Sequence, residues 1–282
     1  MRARRFKTQG DIDRYVAQGY GQGTGADYKP WLRVQDVPSR GRSRKVHGLK
    51  TGRIHHVLSD LEYAYLLALE FSERVVDIRE QFPLFPIELI QERARRQDIR
   101  YPRYAGTQVP YVMTTDFVVT VKAEDESLRE FARTVKYEVE FSPGRGLART
   151  LEKLELERAY WLARGVDWKI VTERSVAPAL AKNLIWLYGG AQIERGLERD
   201  ELSASFAECL DEAGTHDRTL SSLLRAVCYR LNLAYPDAVR LFKHLVWNKA
   251  IVVDLSVPML LTSPAPTMRI TPVDAYSVRR AA

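Results

Sequence analysis

The chain has 282 residues, 45% of them hydrophobic and 28% charged, with a formal net charge of +7 at neutral pH. This is enough apolar material for one large domain or two compact ones, and no apolar run approaches the ~18 residues of a membrane-crossing helix. Cys209 and Cys228 form no Cys-x-x-Cys pair, and the basic start Met1-Arg-Ala-Arg-Arg-Phe-Lys7 leads into no apolar signal-like stretch; a reducing cytoplasm is the expected compartment.

The positive charge is concentrated at one end. Residues Met1 to Val57 hold 13 Lys and Arg against 4 Asp, a net +9, which leaves −2 for the rest of the chain. Within this segment, Ser39 to Arg53 carries Arg40, Arg42, Arg44, Lys45, Lys50 and Arg53, three glycines and no acid. Such a loop suits a phosphate backbone, because glycine lets N–H groups approach closely while the cations neutralise charge. A solvated basic tail has the same composition, but Tyr28, Trp31 and Tyr63 on either side favour order.

In chain order, Asp11 to Ala17 is a short helix followed by a turn rich in glycine from Gly19 to Gly25. Ser59 opens a helix whose apolar residues Leu61, Ala64, Tyr65, Ala68 and Leu69 recur at three- and four-residue spacing. Val75 to Phe82 alternates as a strand does and ends at Pro83; Gln91 to Pro110 is polar and broken, and is expected to be a connection or ribbon. Strands follow at Val112–Val121 and Phe131–Val139, a helix at Leu147–Ala163 with Leu147, Leu151, Leu154, Ala159 and Leu162 on its apolar face, and a short strand at Trp168–Thr172. This order is a mixed α/β layer arrangement rather than successive βαβ units.

Beyond Glu173 the pattern turns helical, at Ala177–Tyr188, Leu202–Glu212, Leu220–Leu231 and Pro236–Trp247, with a strand pair expected at Ala250–Val257 and Thr267–Pro272. Three helices followed by a small hairpin is a winged-helix layout, with Pro236 starting its candidate recognition helix. Arg240, Lys243 and His244 would line that helix, while Leu241, Phe242, Leu245, Val246 and Trp247 suit a core or a protein partner. Three divisions result: a basic arm over 1–57, an α/β core over 58–173 and a winged-helix-like domain over 174–282.

Three residues could carry phosphodiester chemistry, which at neutral pH uses hard-oxygen ligands for divalent metals and often a nearby lysine. Asp116 interrupts a β-branched, apolar strand; Lys136 lies twenty residues later on the next strand; Glu62 falls in the first turns of the Ser59 helix. On a regular strand Thr134, Lys136, Glu138 and Glu140 would share a face. The same residue types also fit a structural acid at a sheet edge, a surface lysine and a glutamate favoured by the helix dipole. No His or Cys cluster has zinc spacing, and there is no Walker-type loop.

Arg40-Gly-x-Ser43, Gly48-x-Lys50-Thr51-Gly-Arg53, Ser59-Asp-Leu-Glu62, Asp77-Ile-Arg-Glu-Gln-Phe-Pro83, Thr114-Thr-Asp116-Phe and Val135-Lys136 occur in one order. They are followed by Arg149-Thr-Leu-Glu-Lys-Leu-Glu155-x-Glu157-Arg158, Tyr160-Trp161 and Trp168-x-Ile-Val-Thr-Glu173. Together these motifs resemble the TnsA endonucleases of bacterial cut-and-paste transposons. The resemblance implies a restriction-endonuclease-like core with two Mg²⁺ ions, for which Mn²⁺ would substitute. It implies Glu62 and Asp116 as catalytic carboxylates and metal ligands, Lys136 as the catalytic lysine and the Val135 carbonyl as a further ligand. Where relatives carry Gln or Glu two residues before the lysine, this chain has Thr134, and Glu138 is the candidate substitute. Lys153 is a further candidate DNA contact.

The resemblance also implies nicking of the non-transferred strand at the 5′ ends of a transposon. The expected partners are transposon-end DNA, a DDE transposase of TnsB type and an AAA+ regulator of TnsC type contacting the C-terminal part. Two other classes stay open: a nuclease of the same core acting alone, and a non-catalytic DNA-binding adaptor whose acids are structural.

Overall fold

The computed structural model describes residues 6–37, 42–144, 146–214, 216 and 218–273. The expected DNA contact Arg40 therefore lies outside the described residues. The chain forms two compact units, Met1–Ser175 and Val176–Ala282.

The basic segment of the first unit is not a separate arm. Helix α1 (Gln9–Ala17) begins at a capping box in which the Thr8 and Asp11 side chains take each other's backbone N–H groups. Ile12 and Tyr15 from this helix are buried with Phe6, Trp31, Ile87, Tyr104, Val109 and Val112, which fastens the N-terminus to the body of the unit. The described part of the basic loop, from Arg42 on, leads into an antiparallel hairpin of β1 (Arg44–His47) with β2 (Ile54–Val57). Its turn needs Gly48, because a Cβ there would lie 2.3 Å from the His55 ring.

Helix α2 (Asp60–Phe71) is capped by the Ser59 side chain. The sheet that follows has strand order β3 (Val75–Pro83), β4 (Thr114–Lys122), β5 (Leu128–Val135) and β6 (Asp167–Val171). The first two pairings are antiparallel and the last is parallel, so the sheet is mixed as expected. The stretch read as a connection or ribbon, Gln91 to Pro110, begins inside helix α3 (Ile87–Arg96), whose buried residues Ile87, Ile90 and Ala94 keep helical spacing among many charges. Helix α4 (Leu147–Leu162) packs on the same face, where Leu156, Tyr160 and Trp161 meet Val118, Ala132 and Ile90. Its expected apolar face is corrected: Leu151 and Leu162 are exposed, and Leu156, Tyr160 and Trp161 are buried in their place. On the other face of the sheet, Tyr65 of α2 lies edge-on to Phe117.

The second unit holds α5 (Pro178–Tyr188), α6 (Asp200–Ala213), α7 (Leu220–Leu231) and α8 (Tyr235–Trp247), then a two-residue pairing of β7 (Ile251–Val252) with β8 (Thr271–Pro272). The helices match the expected layout, whereas the hairpin is far shorter than a wing. Leu241, Phe242, Leu245, Val246 and Trp247 of α8 are all buried within the unit. The basic residues of α8 are also engaged there: Lys243 sits over the Trp186 ring, His244 contacts the Ala191 carbonyl, and Arg240 lies near Glu194 and Asp237. No helix among the described residues is long and apolar enough to cross a membrane.

Arg53 requires a second correction. It is only 9% exposed, and its guanidinium donates to both carboxylate oxygens of Glu80 at 2.9 and 2.7 Å, and to the Ile78 and Gly25 carbonyls. It is a structural cation that ties the hairpin to β3 and is not presented to DNA. Removing one partner of such a pair strands a buried charge, so Arg53→Ala should lower unfolding free energy by about 3–5 kcal/mol. Urea denaturation measures this; an unchanged midpoint would contradict the assignment.

Candidate active site

Asp116, on the second strand of the sheet, is the centre of the site. Its Oδ2 accepts the Val135 N–H at 2.7 Å, which fixes the acid against β5. Glu62 approaches from the first turn of α2. The Ser59 hydroxyl accepts the Glu62 N–H, and the Glu62 carboxylate takes the Leu58 N–H at 2.9 Å and the Ser59 hydroxyl at 3.2 Å. Glu62 is thus a capping glutamate, yet it is only 6% exposed and lies within Coulombic reach of Asp116.

Lys136 follows directly on β5. Its Nζ donates to the Val135 carbonyl at 3.1 Å, and its pKa is raised, chiefly by the charge of Asp116. It is an ammonium at neutral pH. The structure therefore brings Glu62, Asp116, Lys136 and the Val135 carbonyl together.

Glu138 does not join them. Strand β5 ends at Val135, and Glu138–Phe141 forms a 3₁₀ turn, so the alternation that would put Glu138 on the Lys136 face is broken. The Glu138 carboxylate pairs instead with Arg174 at 2.5 Å and accepts from the Thr172 hydroxyl.

Two residues missed in the sequence complete the site. Glu157 on α4 is buried and accepts from the Thr115 hydroxyl at 2.6 Å and from the Thr134 hydroxyl. The indoles of Trp161 and Trp168 donate to those two threonines. Thr134 is thus a link to a carboxylate reaching in from the helix. The second, Gln81, lies on β3 with φ +49°, a left-handed conformation rare for a non-glycine residue. Its amide donates at 3.4 Å to both Glu62 and Asp116, bridging the acids. The sequence signal for Glu157 is its place in the Glu152-x-x-Glu155-x-Glu157 run, where helical ion pairing masks it; Gln81 has none beyond its motif.

The charge balance is unfavourable as it stands. Burial, and then the charge of Asp116, push Glu62 up to about 8 and Glu157 up to about 7. The available donors are all hard oxygens, the set that Mg²⁺ and Mn²⁺ accept. Among the described residues no three acids already form a metal cage, and the Gln81 amide bridges Glu62 and Asp116. Crowded carboxylates beside one ammonium nevertheless fit a divalent cation. Asp116, Lys136 and Glu157 open onto a cleft of about 370 Å³ that Gln81, Glu140 and Lys153 also line.

The expected DNA contacts of the hairpin are spread. Arg42 and Lys45 are exposed, Arg44 lies over the Tyr63 ring and pairs with Asp60, and Lys50 is half-buried with its N–H bonded to Glu70. Lys153 is exposed at the cleft.

Acids and a lysine converging on a mixed sheet flanked by helices place the chain among α/β proteins of endonuclease type. The model of the TnsA-like endonuclease N-terminal region matches residues 72–173, and that of the TnsA endonuclease C-terminal region matches residues 176–255. The Transposon Tn7 transposition protein TnsA of Escherichia coli is 42% identical over 226 residues, 79% of this chain and 77% of that protein. The chain belongs to the TnsA endonuclease family. Asp116, Lys136 and Glu157 fall within the N-terminal match, and Glu62 lies ahead of it.

A carboxyl group whose folded-state pKa is raised loses stability for the fold as pH climbs from its unfolded value, near 4.5, through its folded value, near 8 for Glu62. In metal-free protein, Glu62→Gln should therefore melt above wild type at pH 8, with the gap closing toward pH 5. Calorimetry across this range checks it; a gap that widens toward acid would reverse the sign.

Proposed function

We propose that this chain is the metal-dependent nuclease that nicks the non-transferred strand at the 5′ ends of a transposon. A separate DDE transposase would cut the 3′ ends, and an AAA+ regulator contacting the C-terminal unit would gate the reaction, all in the bacterial cytoplasm. The observation that carries the chemistry is Asp116 and Lys136 together at the cleft, with Glu62 buried within Coulombic reach of both and the Val135 N–H bonded to Asp116. The assignment to transposition rests on the family.

Glu62, Asp116 and the Val135 carbonyl would hold the metal, with Glu157 facing Asp116 from the helix behind. A divalent metal held there would supply positive charge to a phosphodiester and help activate water. Lys136 keeps its proton, so it orients and neutralises as a cation and does not serve as the resting base. Val135 N–H fixes the Asp116 rotamer, leaving Oδ1 toward Gln81. Thr115 and Thr134 hold Glu157 in place, which makes the Thr134 hydroxyl a positioning group.

Strand-resolved cutting of a transposon end, with the cognate transposase and regulator in Mg²⁺, tests this reading. Asp116→Ala and Lys136→Ala should each lose 5′ cuts by at least about 10²-fold while 3′ cuts persist. Unchanged 5′ cuts in folded Asp116→Ala would overturn the catalytic assignment and favour the adaptor reading.

A further inference from the structure

A second cleft adjoins the catalytic one and shares Pro102 and Lys153 with it. It is lined by Arg100 and Arg103 on one side and by Arg149 and Lys153 on the other, with Glu152 its one acid. Glu152 is taken up by Arg149 at 2.5 Å. Lys153 has no carboxylate partner among the described residues. Its ammonium lies near the like charges of Arg149 and Lys136, which an anion in the groove would offset.

The loop that presents Arg100 and Arg103 is built firmly. Tyr104 N–H bonds the Val109 carbonyl at 3.0 Å, Tyr111 N–H bonds the Pro102 carbonyl at 2.9 Å, and the Tyr101 hydroxyl bonds the Tyr111 carbonyl at 2.9 Å. The buried Tyr104 ring anchors the loop in the N-terminal aromatic cluster. Cations on a braced loop and on the facing helix, along a groove that shares its end with the catalytic cleft, match a line of phosphates.

We infer that this groove, with Lys153 at its junction with the catalytic cleft and Arg100 and Arg103 along its wall, holds the DNA backbone next to the phosphodiester that is cut. This rests on the nuclease reading proposed above. The groove would act before chemistry: it places the strand, and the acids and Lys136 react. Its cations should therefore govern saturation and salt response more than the maximal cutting rate.

The test uses the full chain in the transposon-end cleavage mixture, comparing wild type with Arg100→Ala/Arg103→Ala/Lys153→Ala. The expected result is half-saturation by DNA raised roughly tenfold or more, and a log–log salt dependence shallower by about 0.9 for each phosphate that the variant no longer neutralises. The maximal cutting rate should return at low salt and high DNA. Lys122→Ala/Arg129→Ala, which removes two exposed cations at the far end of β4 and β5, should change neither quantity. A triple variant with wild-type melting temperature, half-saturation and salt slope would overturn the groove while leaving the nuclease reading intact. Undiminished cutting by Asp116→Asn would instead sink the nuclease reading and the groove with it.

Discussion

The charge of Asp116 bears on both Glu62 and Glu157, and the middle of the N-terminal unit is arranged around these three acids. Each acid arrives on a different element: a helix start, a central strand and the middle of a second helix. Burial raises the cost of ionising two of them, and the charge of Asp116 raises it further. Directed hydrogen bonds keep the group together: the Val135 N–H on Asp116, the Leu58 N–H and Ser59 hydroxyl on Glu62, and two threonine hydroxyls on Glu157. The Gln81 amide spans the gap from a left-handed backbone position, where local strain is retained by the surrounding sheet.

Strand β3 displays the contrast between a structural acid and a reactive one in neighbouring residues. Glu80 is fully buried, and although burial opposes its ionisation, His55 and Arg53 outweigh that and hold it far below the usual carboxylate range. Its compensation is complete within the fold: Arg53 grips both oxygens, His55 contacts Oε2 at 2.7 Å and the His56 N–H bonds Oε1. The next residue, Gln81, turns to Glu62 and Asp116, whose charges lie beside Lys136. A buried acid with its own cation stabilises the fold; buried acids short of a cation are poised for a ligand.

This contrast also explains how much could be read from the chain. The β-branched strand around Asp116 and the capping signal at Ser59 are legible because each is local, and the order of sheet elements follows from their periodicity. The mixed strand order brings the acid, the lysine and the capping glutamate together, and the quoted motifs anticipate that grouping. What escapes depends on chain direction in space. Strand β5 breaks into a 3₁₀ turn after Val135, which removes Glu138 from the face that alternation assigns to it. Glu157 looks like one more charge on a salt-bridged helix, because its threonine partners lie 42 and 23 residues away. Arg53 looks like a phosphate ligand because its partner, Glu80, is 27 residues downstream. The short sequence around α8 carries both basic and apolar residues, and only the packed unit reveals that its own core, helix α5 and the turn after α5 take them up.

The central claim is that these acids form a cation site held partly protonated until the cation arrives. Calorimetric titration of the folded chain with Mn²⁺ at pH 7, in buffers of different ionisation enthalpy, tests it most directly. Binding should release protons, because Glu62 would give its proton up on meeting the metal, and Asp116→Asn should weaken binding markedly with the fold intact. Mn²⁺ binding with no proton release, or with equal affinity in folded Asp116→Asn, would contradict the account.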